Sequence, residues 1–344
     1  MKLPKRIFSG YHGACHCQGI AVDLQKELIY FSFTTKLVKA DFKGNILATA
    51  ENLTGHLGCI DFHEADGRVY GSLEYKNDCI GKGIHAAIGV ETENEEGFYC
   101  AIFDVDSMNR IGMDAEKDGV MRAVYLKEVV DDYKYPDHKY GCSGIDGTAW
   151  GPICGSAVKK EYLHIAYGIY GDVNRADNDC QVILCYDAEK WWNTCAQPLS
   201  QNAPHKSGPD SSVHKFFVET GNTNWGIQNL EYDPCSGDYF AAVYRGQKPQ
   251  FKNYDMFVID GSAAPVQKAH PVSGEAAEFL TLKKQSDGEY GIFFPYGSTG
   301  LFAIGDGRFY FSRHYRHKKH GQATSVQLYK RTGNAKKKFK RIVF

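Results

Sequence analysis

A chain of 344 residues, 43% hydrophobic and 13% aromatic, has material for a large core, arranged as two ordinary domains or one all-β ring. With 40 basic and 41 acidic residues the net charge is −1, which argues against general electrostatic capture of nucleic acid or a membrane surface. No window nears the roughly 20 apolar residues of a membrane helix, and "MKLPKRIFSG" has no apolar signal core. The 11 cysteines are therefore expected to be reduced thiols of a cytoplasmic protein.

In chain order, "GACHCQG" comes first. Cys15 and Cys17 stand closer than zinc ligands normally do, and strand alternation sends them to one face and His16 to the other. A series of related stretches follows: "QGIAVDLQKELIYFSF" from 18, "LGCIDFHEADGRVYGSLEY" from 57, "SGIDGTAWGP" from 143 with "KKEYLHIAYGIY" from 159, "WGIQNLEYDPCSGDYFAAVYRG" from 225 and "TGLFAIGDGRFYFSRHY" from 299. Each runs from alternating apolar residues through a polar turn into an aromatic-rich second strand, and "EADGR", "PCSGD" and "IGDGR" supply the Gly and Asp of tight hairpins.

Further strands complete each unit: "KLVKADF" and "NILATAE", "FYCAIFDVD" and "VMRAVYLKEV", "CQVILCYDA" and "KFFVET", "YDMFVID" and "EYGIFFP", "SVQLYKR" and "FKRIVF". One meander cannot bury both its faces alone, so the repetition predicts an all-β fold, a single β-propeller over 1–344 with five four-stranded blades. Six or seven blades would require one of the long connections (77–97, 107–119, 197–214, 262–290) to hide another. The stretch 120–130 would also fit a helix. "IGKGIHAAIGV" at 80–90 has three glycines but no strand-then-helix context for a phosphate loop, and "DVDSMNRIGMDAE" from 104 lacks the central glycine and final glutamate of an EF-hand.

The first strand of each blade lines the channel, and the second runs back to the same mouth. Strand openings therefore bring His16, Gln18, His56, Asp146, Gln228 and Asn229 to one funnel, and second-strand ends bring Glu74, Lys76, Tyr167, Tyr170, Tyr244, Arg245, Lys248, Arg313 and His314. Arginine forks a carboxylate, tyrosine stacks and hydrogen-bonds, and histidine moves protons near neutrality, so the expected partner is an anionic carbohydrate or other small acidic ligand. Asp146 and Asn229 are the expected ligands of a divalent metal in the channel, calcium or a transition ion.

This pattern resembles the β-propeller class, and its His-, Tyr- and Arg-rich face resembles propeller lyases that cleave uronate-containing glycans. The resemblance implies His16 or His56 and Tyr170 or Tyr244 as base and acid, and Arg245 or Arg313 as the partner of the uronate carboxylate. Gln18, Glu74, Lys76, Tyr167, Gln228, Lys248 and His314 would contribute to substrate binding. Two other classes compete: a hydrolase, either a glycosidase using Glu74 and Asp146 or a metal-dependent lactonase or esterase, and a non-catalytic binding propeller.

Overall fold

The computed structural model describes residues 3–91 and 95–343; residues 92–94 of the connection 77–97 lie outside them. The alternation of apolar and polar residues resolves into a five-bladed β-propeller. Blade 1 is Cys17–Asp23, Leu28–Phe33, Lys36–Asp41 and Ile46–Glu51, blade 2 is His56–His63, Arg68–Tyr75, Gly97–Phe103 and Met121–Tyr125. Blade 3 is Cys142–Gly151, Tyr162–Ile169, Gln181–Tyr186 and His214–Val218, and blade 4 is Thr223–Asp233, Asp238–Arg245, Met256–Ile259 and Gly291–Ile292. Blade 5 is Leu301–Ala303, Arg308–His317 and Gly321–Arg331, whose outer edge takes two short strands. The first strands stand side by side around the ring, and that of blade 5 returns to that of blade 1.

The closure differs from the sequence expectation. Phe339–Arg341 does pair with Tyr329–Arg331, but Arg6–Phe8 takes the same edge opposite Ser325–Gln327. The amino-terminal strand thus completes the last blade and removes part of its open edge.

The long connections hold no further blade among the described residues. Met113–Asp114 pairs in parallel with blade 1, and the hairpin Val266–Ala269/Ala276–Phe279 extends blade 3. The connection after Tyr75 forms helix α1 (Cys79–Ile88), and the stretch around 120–130 divides into a strand and helix α2 (Lys127–Lys134). No helix among the described residues is long and apolar enough to cross a membrane. All eleven cysteines are free thiols.

Blade-to-blade packing buries the aromatic residues of the second strands. Tyr30, Phe31, Tyr70, Phe240, Tyr310 and Phe311 are fully buried. Burial of a side chain of this size is worth about 1.5–3 kcal/mol, and the ring form lets each blade cover its neighbour's face.

Candidate functional site

The site is built by irregularities in the strands lining the channel. In blade 1 the register passes from Cys17↔Phe33 to Gly19↔Ser32 and leaves Gln18 unpaired. In blade 3 it passes from Ile145↔Tyr167 to Thr148↔Ile165, and in blade 4 from Ile227↔Val243 to Asn229↔Ala242, releasing Asp146 and Gln228 from the ladder. A β-bulge re-aims its extra residue; here three bulges send polar side chains into one cavity of about 350 Å3. Blade 2 bulges at Gly58 and Cys59. A Cβ on Gly58 would lie 2.3 Å from Asp146 Oδ1 and 2.5 Å from Ser72 Oγ, so glycine there makes room for the carboxylate.

His56 and Glu74 face each other in register, as the antiparallel argument requires. Glu74 Oε1 meets His56 Nδ1 at 3.2 Å and receives Lys76 Nζ at 2.6 Å, while Oε2 accepts the Ile145 amide at 3.0 Å. Lys76 also donates to the Ser143 carbonyl at 2.7 Å and lies 3.7 Å from Asp78. Asp146 Oδ2 accepts from Gln228 Nε2 at 3.0 Å. His56, Glu74, Lys76 and Asp146 are 8%, 3%, 5% and 7% exposed, so their charges act on one another with little screening.

Burial pushes the Asp146 carboxyl up to about 7, with the His56 charge opposing and that of Glu74 assisting. Burial works against charged His56, yet the Glu74 hydrogen bond and the Asp146 charge hold its pKa above the ordinary value. Burial likewise opposes ionised Glu74, but Lys76 and His56 bring it below the usual carboxylate range. His16 is lowered to about 4 by burial and by the neighbouring His56 and His314, leaving it neutral at pH 7. Tyr244 is raised to about 12 by burial and by Asp146.

The opposite wall is apolar. Helix α1 presents Ile80 and Ile84, and Trp225 stands beside Gln228. Trp225 has φ +69° and is followed by Gly226 at +74°, a left-handed pair that turns the indole toward the cavity. Sequence reasoning missed both features. The helix was legible in the capping carboxylate of Asp78, which accepts from the Ile80 and Gly81 amides, and in the four-residue spacing of Ile80 and Ile84. That same carboxylate occupies the helix start, so no phosphate loop forms. The conformation of Trp225 left no comparable mark.

Of the expected residues, His16, Gln18, His56, Glu74, Lys76, Asp146, Gln228 and Tyr244 line the cavity. His16 and Tyr244 also line an adjoining outer compartment with Arg313 and His314. The others are placed differently. Tyr167 is fully buried, and its hydroxyl donates to Asp132 of α2 at 2.9 Å. Tyr170 donates to Asp78 at 3.1 Å, bracing α1 from behind.

Arg245 is exposed and forks Asp255 at 2.5 and 2.7 Å. It follows Tyr244 in the strand, and adjacent side chains point to opposite faces, so only one of the two enters. Lys248 lies beyond the strand end, buried against Asn178 at 2.8 Å and Asp179 at 2.6 Å, where it ties down a loop. The inner cavity therefore offers fewer free cations than the residues expected at this mouth imply: among the described residues its one lysine is bound to Glu74, and Arg245 and Lys248 are engaged elsewhere.

Asn229 plugs the channel below the cavity. Its Nδ2 donates to the carbonyls of Gln18 at 2.8 Å and Gln228 at 2.9 Å, and its Oδ1 receives the Cys59 thiol at 3.5 Å. With that side chain committed and both oxygens of Glu74 in use, the set does not suit calcium, which takes 6–8 oxygen ligands. Among the described residues no group of three or more His, Cys, Asp or Glu is arranged to hold a metal.

No protein-family model matches the chain, and no curated protein matches it. Solved structures similar to it include an arabinanase from Bacillus subtilis (8% identity, 94% of this chain and 97% of that one, TM-score 0.40). A glucose dehydrogenase (10%, 94% and 99%, 0.39) and a gluconolactonase from Xanthomonas campestris (8%, 92% and 88%, 0.37) are further cases. Likeness at this level carries no argument about activity.

Proposed function

We propose that the chain is a carbohydrate-active enzyme that hydrolyses a glycosidic or ester bond of a sugar, with Asp146 and His56 as its proton-transfer pair. The observation that carries this reading is a carboxyl raised to about 7 by burial and an imidazole whose pKa is held above its ordinary value, both on the wall of one cavity. Buried groups pushed toward neutral pKa values mark acid–base sites. In this scheme ionised Asp146 takes a proton from water, with Gln228 fixing its Oδ2, and protonated His56 gives one to the departing oxygen. Glu74 and Lys76 act as positioning residues. Glu74 orients the imidazole through Nδ1, and Lys76 keeps Glu74 ionised despite its burial.

A sugar suits the lining. Gln18 and Gln228, whose amide nitrogens are held by Thr34 and by Asp146 and the Trp225 carbonyl, offer amide oxygens to hydroxyl groups, and Trp225 with Ile80 and Ile84 offers apolar surface to a ring face. Hydrolysis stands ahead of elimination because a uronate lyase needs an uncommitted cation on the carboxylate next to the carbon that loses its proton, within the cavity that holds the reacting atoms. The lysine of this cavity is already bound to Glu74 and the Ser143 carbonyl.

The test is incubation of the folded protein with a panel of neutral and uronate-containing glycans, sugar esters and sugar lactones. New reducing ends or released acid are read alongside the near-ultraviolet absorbance of unsaturated uronates. Hydrolytic turnover is expected, without that absorbance, and Asp146→Asn is expected to reduce it by roughly 10²–10⁴-fold. Turnover unaffected by Asp146→Asn, an unsaturated product, or no turnover across the panel would overturn the reading.

A further inference from the structure

The outer compartment, about 430 Å3, meets the inner cavity at His16 and Tyr244, which line both. Its character is different. Arg313, His314, Tyr296, Ser298, Thr299 and Gln322 line it, and among the described residues no carboxylate does. The Arg313 guanidinium lies 4.9 Å from the ring centroid of Tyr296, which is packed against Phe294 at 5.3 Å and Tyr329 at 6.2 Å. A ring anchored in the core thus supports the arginine from one side.

Among the described residues Arg313 has no carboxylate partner. Arg245 and Arg308, by contrast, fork Asp255 and Asp306. An arginine so supported, surrounded by hydroxyl and amide groups and lacking a counter-ion, has its fork available for an anion.

We infer that the outer compartment binds the anionic group, a carboxylate or a phosphate, of a sugar substrate whose reacting bond lies in the inner cavity, with Arg313 as the anchor. This rests on the hydrolytic reading for the second half of the statement only. His16 and Tyr244 line both compartments, and in this proposal one ligand extends past them, its charged end against Arg313 and its scissile bond near Asp146. The anion then selects and orients the substrate away from the reacting atoms, which accommodates hydrolysis rather than elimination next to a carboxylate.

Equilibrium binding of glucuronate, glucose 6-phosphate and glucose to the full chain tests the inference without requiring turnover. One or both anions are expected to bind at least roughly tenfold more tightly than glucose, and Arg313→Gln is expected to abolish that advantage. Arg245→Gln, whose guanidinium serves Asp255 outside both compartments, keeps it. Preference between the two anions identifies carboxylate or phosphate as the recognised group.

Arg313 is exposed, and an unchanged thermal melt establishes that its variant is folded. Equal affinity for glucose and the anions, full anion binding by Arg313→Gln, or no anion binding by the wild-type chain would overturn the inference. Anion binding without any hydrolytic turnover would instead sink the acid–base reading and leave the anion site standing.

Discussion

Asp146 sets the pH behaviour of the site. Its ordinary pKa of 3.8 is raised to about 7 by burial, so an unfolded chain releases this proton near pH 4 and the folded chain near pH 7. Between those values the folded state binds more protons, and its stability falls as pH rises. The contribution is complete below about pH 4 and lost above about pH 7; from pH 5 to 8 it amounts to about 2–3 kcal/mol. Asp61, also raised to about 7 by burial, adds to the same trend.

Urea unfolding at the two pH values is therefore expected to show a smaller drop for Asp146→Asn than for the wild type; equal drops would sink this account. The proposed catalysis is expected to run the other way on its acid limb. Under the proposed function, activity is expected to rise through about pH 7 as Asp146 ionises, then to decline as His56, held above its ordinary value of 6.5, loses its proton. A pH–rate profile of kcat/KM without the limb near 7 would remove Asp146 as the base. His56 and Glu74 were legible in the sequence because one opens a strand and the other lies at the end of its partner, whereas Asp146 sits within its strand and enters the cavity through a bulge. The couplings were not legible, since Lys76 and Glu74 could be named as neighbours but not seen to neutralise each other.

Helix α1 is the element on which the cavity's apolar wall depends. Its first turn rests directly on blade 2: a Cβ on Gly81 would lie 1.7 Å from the Lys76 carbonyl oxygen. Gly81→Ala would push the helix off the strand end, displacing Ile80 and Ile84 and disturbing Lys76. Asp78→Ala is milder. It removes the cap, worth about 1 kcal/mol, and the acceptor of the Tyr170 hydroxyl.

Hydrogen exchange of the amides of 79–88 is expected to quicken modestly in Asp78→Ala and strongly in Gly81→Ala, while the strands of blade 4 stay protected. Unchanged exchange in Gly81→Ala would show that the helix does not rest on that contact. The bulges are the other decisive elements. Alternation marks where the strands run. A bulge shifts the alternation by one residue within a strand, and no local pattern distinguished Asp146 entering the cavity from Asn229 entering the plug.

The whole molecule holds the site by holding the ring. Asn229 of blade 4 reaches the Gln18 carbonyl of blade 1 and accepts the Cys59 thiol of blade 2, and Cys59 lies 3.4 Å from the Thr148 carbonyl of blade 3. Four blades thus meet beneath the cavity, so loosening any one of them moves its floor. Arg6–Phe8 fastens the ring at the other closure point. Removal of residues 3–8 is expected to lower the Tm and to promote association through the bared edge of Gly321–Arg331. A truncated chain with wild-type Tm and no concentration-dependent association would show that Phe339–Arg341 suffices.

The amino-acid sequence by itself determined the five repeated meanders and the mouth at which strand openings and second-strand ends collect. Both follow from period-two alternation and antiparallel pairing, which are local properties. Only the tertiary structure decided which side chains enter that mouth. Inward direction depends on bulges and left-handed turns such as Trp225, and ion-pair partners such as Asp255 for Arg245 are fixed by packing. The availability of Arg313 and the commitment of Lys76 are facts of neighbourhood rather than of residue type, which is why one string of cations separated into an anchor, a strut and a surface pair.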